Sequence, residues 1–561
     1  SGLSSMDSER VILMLKKQTF KGKIVFANIH QPSSDLFKLF DKIFVMDHGG
    51  RVIYQGNPMG AVVYFKRIAH YLKAEESECL TCGNVNTEQV LRIVEARVVN
   101  EYGKLTRKRK RSAQEWYELY KKNIESKIVL TNCDGKAPLP PSSFSIPSHR
   151  KQMWIFFKRN LFSKLVNRQF MYISLVAAPL LALILGYFTK YIGGTLNNPN
   201  EYIFSNNDNI PSYLFMSVVA SLFLGLTISA EDIIRDRKVR QREKFLNLSY
   251  FSYINSKVLV LIIFSAVQSL LFVLVGNSIL EIKGMLFSHW LILFATAVCA
   301  NLIGLNMSAA LNSVVAIYVM IPIILVPQLL FSGVIVNYSK LHKNISHPEY
   351  VPFVGDIMVS RWSYEALCVH QFTANKFEKE FYYFDKELSN DTYYASFLIP
   401  KLQILLDESL KDIILNKQTP HTNHNLKIIQ NEISLISRDY PFNNITYPDT
   451  STLNPHRVTV EDINQTKNLL SQLRTHFSVS FQKANERKNA HYDELSRKLG
   501  ADNAIYQLSL DYNNKALNNL VLNSNESNQV EEVGYRLIRK YNPVYASSTA
   551  INGRAHLFAS E

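Results

Sequence analysis

Cysteine is scarce in this sequence, and its distribution excludes a disulfide-stapled fold. The 561 residues contain only Cys79, Cys82, Cys133, Cys299 and Cys368, so the long segment after Cys368 has none to pair. Disulfides therefore cannot stabilise that segment. Cys79 and Cys82 have the spacing of half a zinc site, but no second pair follows, which favours an unliganded loop. We therefore predict no metal site.

Acidic residues are in short supply relative to basic ones. The chain has 47 Asp and Glu against 62 Lys and Arg, which gives a formal net charge of +15. Such an excess can serve nucleic-acid binding, but here much of it lies before residue 168 and between 235 and 257, beside apolar runs. That placement is typical of cytoplasmic segments flanking membrane spans. The sequence therefore favours a membrane protein and predicts no nucleic-acid partner.

Charge is missing altogether from several long runs. Residues 170–189, 211–230 and 258–280 contain no charged residue, and 288–339 is a longer uncharged run interrupted by Asn312-Ser313. A helix of about 20 residues rises ~30 Å, the thickness of the hydrocarbon core. With the longest run divided into 290–311 and 314–336, the sequence predicts five membrane spans. Within the fourth, Asn301 and Asn306 could line a substrate path or hydrogen-bond between helices, and we favour the second.

The distribution of basic residues orients these spans. No Lys or Arg occurs in 191–210, whereas the segment between the second and third spans is rich in them. Its basic residues are Arg235, Arg237, Lys238, Arg240, Arg242, Lys244 and Lys257. Because cytoplasmic loops carry the excess of Lys and Arg, we place this segment and the N-terminal region in the cytoplasm. Residues after about 337 are then external.

The N-terminal 70 residues show an α/β pattern. The order is helix, strand, helix, strand, turn, strand, with Ile24–Ala27 predicted as a short buried strand. Asp47–Gly50 has the composition of a hairpin turn between strands at 43–46 and 51–54. We interpret this segment as the closing edge of a nucleotide-binding domain.

Six short motifs follow one another along the chain. They are Ser1-Gly2-Leu3-Ser4-Ser5; Asn28-Ile29-His30-Gln31-Pro32-Ser33 with Leu36-Phe37-Lys38-Leu39-Phe40-Asp41; Gly49-Gly50-Arg51-Val52-Ile53-Tyr54-Gln55-Gly56; Ser249–Lys257; Leu330–Gly333; and Ser360–Leu367. In this order they resemble the G subfamily of ABC transporters, the white and pleiotropic-drug-resistance type, over residues 1–70 and 150–370. The first resembles the D-loop and the second the switch-histidine segment of its ATPase.

The resemblance implies a multidomain architecture. Residues 1–70 would be the C-terminal part of an α/β ABC ATPase domain, and 170–339 an α-helical ABC-2-type transmembrane domain with five visible spans. The other segments are a charged cytosolic extension and linker at 71–149, helical over 84–130; an amphipathic connecting helix at 150–169; a re-entrant segment at 340–371; and a mostly α-helical external domain at 372–561. We interpret the basic run at 107–111 as a solvated loop near acidic headgroups, not an import signal.

The resemblance also implies site residues. His30 would contact the γ-phosphate of ATP and orient the attacking water, since an imidazole can donate to a developing phosphate charge. Contacts to the nucleotide or across a motor dimer would come from Ser1, Gly2, Leu3, Ser4 and Gln31. Ser4 stands where the D-loop has Asp. Motor closure would reach the spans through Arg235, Arg237, Lys238, Arg240, Arg242 and Lys244.

The implied function is that of a half-transporter. A homodimer or heterodimer would couple hydrolysis of ATP, with Mg²⁺, to export of an amphipathic or hydrophobic substrate. No Gly-x-x-x-x-Gly-Lys-Ser/Thr loop occurs in the sequence, so nothing here cradles the β- and γ-phosphates. We therefore expect a fragment lacking the front of the ATPase and a sixth span, inactive by itself.

Two alternatives stay open. One is a non-pumping member that transmits force to an outer protein partner, and the other is a membrane receptor or scaffold. The cysteine-free C-terminal segment favours a bacterial inner membrane as the location.

Overall fold

The chain forms two compact units, residues 1–142 and 143–561. The structure is a computed structural model. It describes residues 5–29, 32–79, 83–128, 146–194, 198, 200–246, 248–345, 351–415, 419–442, 445, 447, 453, 458–500, 503–524 and 528–546.

The first unit is a small α/β assembly. Its elements are α1 (Ser5–Thr19), α2 (Ser34–Lys38), β1 (Ile43–Asp47), β2 (Arg51–Gly56), α3 (Pro58–Ile68), α4 (Thr87–Val94), β3 (Arg97–Val99), β4 (Leu105–Arg109) and α5 (Ala113–Asn123). The predicted hairpin is confirmed, because β1 and β2 pair antiparallel. Gly49 and Gly50 make its turn at φ of +77° and +72°, which glycine adopts without a steric penalty. Phe65 and Trp116 anchor the core by an edge-to-face contact.

Two sequence predictions for this unit were wrong. Ile24–Ala27 forms no strand; Ile24 and Phe26 are 85% and 86% exposed. A strand requires a hydrogen-bonded neighbour, and the described residues supply none to this segment. The segment 84–130 is not helical throughout, because β3 and β4 form a hairpin in its middle. The turn at Gly103 and the valines of β3 favour that hairpin over a helix.

The basic run at 107–111 follows from this hairpin. Arg109 lies on β4 and reaches back to the β1–β2 turn, where its Nη1 is 2.7 Å from Asp47 Oδ1. The Asp47 side chain is only 4% exposed. One member of the run is therefore a structural ion-pair partner within this unit and not part of a freely solvated loop.

The second unit begins with a bundle of long helices. These are α6 (His149–Val166), α7 (Arg168–Thr189), α8 (Ile210–Ser229), α9 (Asp232–Glu243), α10 (Tyr250–Ile279), α11 (Leu286–Ala310) and α12 (Val314–Leu330). In the described part of the chain, α7, α8, α10 and α11 are long and apolar enough to cross a membrane. The fifth predicted span corresponds to α12, whose 17 residues rise only ~25 Å. It ends at Leu330, so the apolar run to 336 is not all helix.

Close contact between α8 and α11 forms the centre of this bundle. A Cβ at Gly225 would lie 2.6 Å from the Ala297 carbonyl oxygen, and one at Gly304 would overlap Ser229 Oγ. Small residues at such positions let two helix backbones approach each other. α8 is consequently the most buried of the apolar helices.

The rest of the second unit is mostly helical, as predicted. Its elements are α13 (Phe353–Ile357), α14 (Val359–Thr373), α15 (Glu378–Thr392), a π-helical turn (Tyr393–Leu398), α16 (Ile399–Ile414), α17 (Pro420–Asp439), α18 (Val460–Leu499), α19 (Ala504–Tyr512), α20 (Lys515–Val521), β5 (Val530–Val533) and β6 (Arg536–Arg539). α14 packs against α8 and α11, and Thr296 donates to Ser363 at 2.7 Å. α16, α17 and α18 enclose a separate apolar core.

Candidate functional site: the two junctions of the helical bundle

Charged side chains converge where α8 continues into α9 and α10. The sequence predicted a basic loop here, but residues 232–243 form a helix. Asp232 in its first turn and Arg240 and Arg242 in its last turn complement the helix dipole, which explains why this highly charged segment is helical. We call α6, α9 and the first two turns of α10 the basic junction.

Two ion pairs hold α9 in place, and the lysine side chain of each is at most 10% exposed. Lys164 Nζ on α6 lies 2.9 Å from Asp232 Oδ1, with 10% and 13% of the side chains exposed. Lys257 Nζ on α10 lies 2.8 Å from Asp236 Oδ2, which also accepts from Tyr253 Oη at 3.0 Å. Burial lowers the pKa of Lys164, and the Asp232 carboxylate opposes that shift. Removing one member of such a pair leaves the other charge buried and uncompensated.

Uncharged hydrogen bonds fix α6 to α10. Asn160 donates to Ser256 Oγ at 3.0 Å, Gln152 accepts from the Ser249 amide at 2.8 Å, and Ser252 donates to the His149 carbonyl at 2.9 Å. The buried positions of α6 recur every fourth residue, at 152, 156, 160 and 164. Polar residues dominate this buried side, while large apolar side chains such as Trp154 and Phe162 are exposed. The helix therefore does not bury an apolar face within the described residues, and its predicted amphipathic placement at the membrane stays a prediction.

The six predicted coupling residues differ in their surroundings. Arg237 donates to Asn312 and to the Leu311 carbonyl, which connects α9 to the turn between α11 and α12. The Arg240 guanidinium lies 4.4 Å from the ring centre of Tyr250 and 4.8 Å from that of Tyr253. Arg235 pairs with Glu231 in the preceding turn. The others, Lys238, Arg242 and Lys244, are exposed.

Sequence reasoning missed the partners that bury these charges. The partner of Asp232 is Lys164 on α6, 68 positions earlier in the chain. The available signal was the polar spacing of Gln152, Asn160 and Lys164, which places them on one helix face.

The predicted nucleotide-site residues lie outside the described residues. These are Ser1, Gly2, Leu3, Ser4, His30 and Gln31. Next to them, Ser33 caps α2 by accepting from the Leu36 amide at 3.4 Å. Cys79 is exposed, while Cys82 falls outside the described range. Across the described ranges no three His, Cys, Asp or Glu side chains come together as a metal site would require.

A second set of contacts lies at the opposite ends of α7, α8 and α10. Asn514 donates to the carbonyls of Phe204 and Asn207 at 2.8 and 2.9 Å, and Tyr202 donates to the Leu280 carbonyl at 2.9 Å. This set also includes two ion pairs, Lys190–Glu281 and Lys283–Asp511, which are more exposed than Lys164–Asp232 and Lys257–Asp236 of the basic junction. We call this set, with α19 and α20, the amide junction. It fastens the C-terminal helices to the membrane helices.

Between the two junctions, buried polar groups pair across helices. Asn301 donates to Ser265 Oγ at 2.6 Å, and Gln268 donates to the Ser174 carbonyl at 2.6 Å. Asn301 thus makes the interhelical hydrogen bond that we favoured over a substrate-lining role. Asn306 is exposed on α11.

Comparison with known proteins finds a family model and several relatives. Residues 151–372 match the family model described as ABC-2 type transporter. The chain is 24% identical to Protein white of Drosophila melanogaster over 387 residues, 66% of this chain and 51% of that protein. It is 52% identical to Protein white of Ceratitis capitata over 68 residues, 12% of this chain and 10% of that protein.

A plant relative extends the comparison. ABC transporter G family member 36 of Oryza sativa subsp. indica is 24% identical over 285 residues, 48% of this chain and 18% of that protein. The chain spans about half the length of the Drosophila protein and less of the other two. Residues 151–372 thus match an ABC-2 type membrane domain, and the chain as a whole is similar to proteins that include an ABC transporter of the G family.

Proposed function

We propose that this chain is the membrane part of a half-transporter that exports an amphipathic or hydrophobic substrate, driven by ATP, as a homodimer or heterodimer. The observation that carries the proposal is the two ion pairs with buried lysines, Lys164–Asp232 and Lys257–Asp236. They join α9 to a connecting helix on one side and to a membrane helix on the other. A force applied to α9 is thereby transmitted to α6 and α10 together.

The proposed orientation places the basic junction in the cytoplasm and the amide junction outside. Basic residues concentrate at the first and are sparse at the second, as the charge rule for membrane proteins expects. Lys238, Arg242 and Lys244 are exposed on or just after α9 and can meet acidic groups of a motor domain. The bacterial inner membrane stays a prediction.

Nucleotide chemistry belongs to the full-length protein in this proposal. Binding of ATP and Mg²⁺ needs a phosphate-binding loop of the Gly-x-x-x-x-Gly-Lys type, which these 561 residues do not contain. We therefore derive no hydrolysis step from this chain. His30 as γ-phosphate sensor, Gln31 beside it and Ser1–Ser4 at a motor interface remain proposals. Nucleotide-binding assays on residues 1–150 should detect no specific affinity, and micromolar ATP binding would contradict this.

Charge reversal on α9 tests the coupling role. In the full-length transporter, Arg240→Glu with Arg242→Glu should leave ATP turnover measurable while transport into inverted vesicles falls about tenfold or more. A matched reversal at the exposed end of α18, Arg497→Glu with Lys498→Glu, should leave the ratio of transport to turnover unchanged. Unaltered coupling in the α9 variant would contradict the proposal.

A second candidate is a non-pumping member that moves an outer protein partner. The amide junction favours it, because Leu517 and Val521 of α20 belong to the same apolar core as the membrane helices. Movement of those helices would then displace the C-terminal helices. ATP turnover in vesicles without efflux of any hydrophobic probe would favour this candidate, and probe efflux would favour the exporter.

The third possibility, a receptor or scaffold, is tested by sequence alone. A phosphate-binding loop and a catalytic glutamate encoded upstream of Ser1 support a motor. An upstream reading frame without them would support the receptor.

A further inference from the structure

A cleft of about 440 Å³ opens in the basic junction between α6, α9 and the start of α10. Its volume is within the ~300–1,000 Å³ range of small-molecule sites. The side chains that give it its character are Phe156, Arg237, Arg240, Lys244, Tyr250 and Tyr253. The cleft thus combines three basic groups with an aromatic wall.

The positive charge of this cleft is not neutralised by its own acidic group. Glu243, the one carboxylate of the lining, is held by Arg159 of α6 at 2.6 Å. Nearby Asp236 is held by Lys257 at 2.8 Å. Among the described residues no carboxylate lies within ion-pair distance of Arg237, Arg240 or Lys244. The cleft therefore presents net positive charge to a ligand.

The two arginines are also held in fixed positions before any ligand arrives. Arg240 lies against the faces of Tyr250 and Tyr253. Arg237 donates to neutral acceptors, the Leu311 carbonyl and Asn312. Planar guanidinium groups bind phosphate oxygens in a bidentate manner, and prior ordering lowers the entropy lost on binding. A phosphate-bearing anion fits this arrangement better than a carboxylate or a neutral solute.

The surroundings of the cleft indicate where the anion comes from. Phe245 and Phe251 follow the lining residues Lys244 and Tyr250 in sequence and are 79% and 75% exposed. Large apolar side chains at the end of a membrane helix are typical of insertion into the interface, and a basic cluster beside them is typical of recognition of anionic headgroups. A lipid combines a phosphate with apolar chains, whereas a cytosolic metabolite has no need of these exposed phenylalanines.

We propose that this cleft binds the phosphorylated headgroup of an anionic lipid from the adjoining leaflet. The inference goes beyond the proposed transport function, since such binding requires neither ATP turnover nor a transported substrate. A headgroup seated between α9 and α10 would stiffen the basic junction and so adjust its response to a motor domain.

Binding can be measured directly on the purified chain in phosphatidylcholine nanodiscs. The probes are a short-chain phosphatidylinositol bisphosphate, the soluble inositol trisphosphate that carries the same phosphates, and short-chain phosphatidylcholine. We expect the bisphosphate lipid to bind at micromolar concentration, the soluble headgroup at least tenfold more weakly, and phosphatidylcholine not at all.

Variants locate the site. Arg240→Gln should weaken binding of the bisphosphate lipid about tenfold, and Arg240→Lys should give an intermediate loss because charge remains without the planar fork. Lys151→Gln removes the same charge from an exposed position on α6 outside the cleft and should change the affinity less than twofold. Unchanged melting temperatures would exclude unfolding as the cause.

Three outcomes would overturn the proposal. They are absence of lipid binding, equal weakening by Arg240→Gln and Lys151→Gln, and equal affinity for the soluble headgroup and the lipid. The last would assign the anion to the cytosol. None depends on transport, so failure of the transporter proposal would be seen separately.

Discussion

The basic junction and the amide junction lie at opposite ends of the helical bundle and differ in their chemistry. At the basic junction, one ion pair is largely buried, since the side chains of Lys164 and Asp232 are 10% and 13% exposed; in the other, Lys257 is 6% and Asp236 26% exposed. At the amide junction, the ion pair Lys283–Asp511 is about half exposed, and Asn514, which is 2% exposed, carries the buried contacts. Hydrogen bonds between uncharged groups and ion pairs occur at both ends, but only the basic junction has ion pairs with buried lysines.

This difference has an energetic consequence. Desolvating two charges costs several kcal/mol, so a buried pair is stable only while both partners are present. A neutral hydrogen bond contributes about 1 kcal/mol to stability, and breaking it costs less than breaking a buried ion pair. The basic junction is therefore sensitive to any change of charge, a property suited to receiving a signal. The amide junction is better suited to holding a fixed geometry.

The largest effect should come from breaking the buried pair at the basic junction. Lys164→Ala leaves Asp232 buried without its cation and should lower the free energy of unfolding by about 3–5 kcal/mol. Denaturant titration of the purified chain in micelles measures this. Lys164→Ala combined with Asp232→Ala should recover part of the loss, and Lys151→Ala, at an exposed position, should cost little. Equal effects of Lys164→Ala and Lys151→Ala would contradict the comparison.

A smaller effect is expected at the amide junction. Asn514→Ala removes the donors to Phe204 and Asn207 and the cap of the Leu517 amide at 2.9 Å. Leaving those groups unsatisfied should cost about 2 kcal/mol in the same titration. Asn519→Ala, one turn along α20 and exposed, is the matched control. A cost at Asn514 above that at Lys164 would reverse the comparison.

The stability of the C-terminal helices should depend on pH through two buried carboxyl groups, which distinguishes this region from the basic junction. Burial raises the pKa of Glu378 to about 7, and that of Glu432 to about 7. Glu378 accepts from Tyr545 Oη at 3.1 Å, and Glu432 accepts from the Leu537 amide at 2.9 Å. Because each folded pKa exceeds the unfolded value of 4.5, the stabilisation is complete below pH 4.5 and is lost as the pH rises through 7.

Thermal unfolding of the C-terminal helices should thus occur at a higher temperature at pH 5 than at pH 8. Hydrogen exchange of α15 and α17 reports on this region without interference from the basic junction. The double variant Glu378→Gln, Glu432→Gln should show a smaller difference in unfolding temperature between pH 5 and pH 8. A pH profile that is the same in the double variant and in the parent chain would show that other groups dominate.

The smallest effect is predicted for the exposed ion pair of the amide junction. Lys283→Ala removes the partner of Asp511 at 3.0 Å, where 48% and 50% of the side chains are exposed. Such surface pairs are worth ~0–1 kcal/mol and weaken with salt. Unfolding measured with and without 0.5 M salt should differ little from the parent chain. A decrease in the free energy of unfolding above about 2 kcal/mol would show that side-chain exposure does not predict the strength of this ion pair.

Much of the membrane domain could be predicted because its signal is local. The predicted span 170–189 corresponds to α7, and 211–230 differs from α8 by one residue at each end. The helix that holds the third predicted span, 258–280, begins earlier, at Tyr250, because its first turns contain polar residues that an uncharged-run search passes over. Uncharged runs define what lies in lipid, but they do not locate the caps that begin a helix in water.

The junctions could not be predicted, because they depend on residues distant in sequence. Lys164 and Asp232 are on different helices, and only the fold brings them together. The same limit applies to Ile24–Ala27, where an apolar run predicted a strand that lacks a neighbour among the described residues. Hydropathy identifies apolar runs, but an ion pair or a strand pair can be predicted only when its partner in the fold is known.

The glycines at the centre of the bundle constrain how any cycle of motion can proceed. Gly225 and Gly304 leave no room for even a methyl group between α8 and α11. Sliding or rotating one helix against the other would drive backbone atoms together, so the two should travel as one rigid body. Displacement of α9 must then be absorbed by movement of this pair relative to α7, α10 and α12. The hinges of the molecule are therefore to be sought around α8 and α11, not between them.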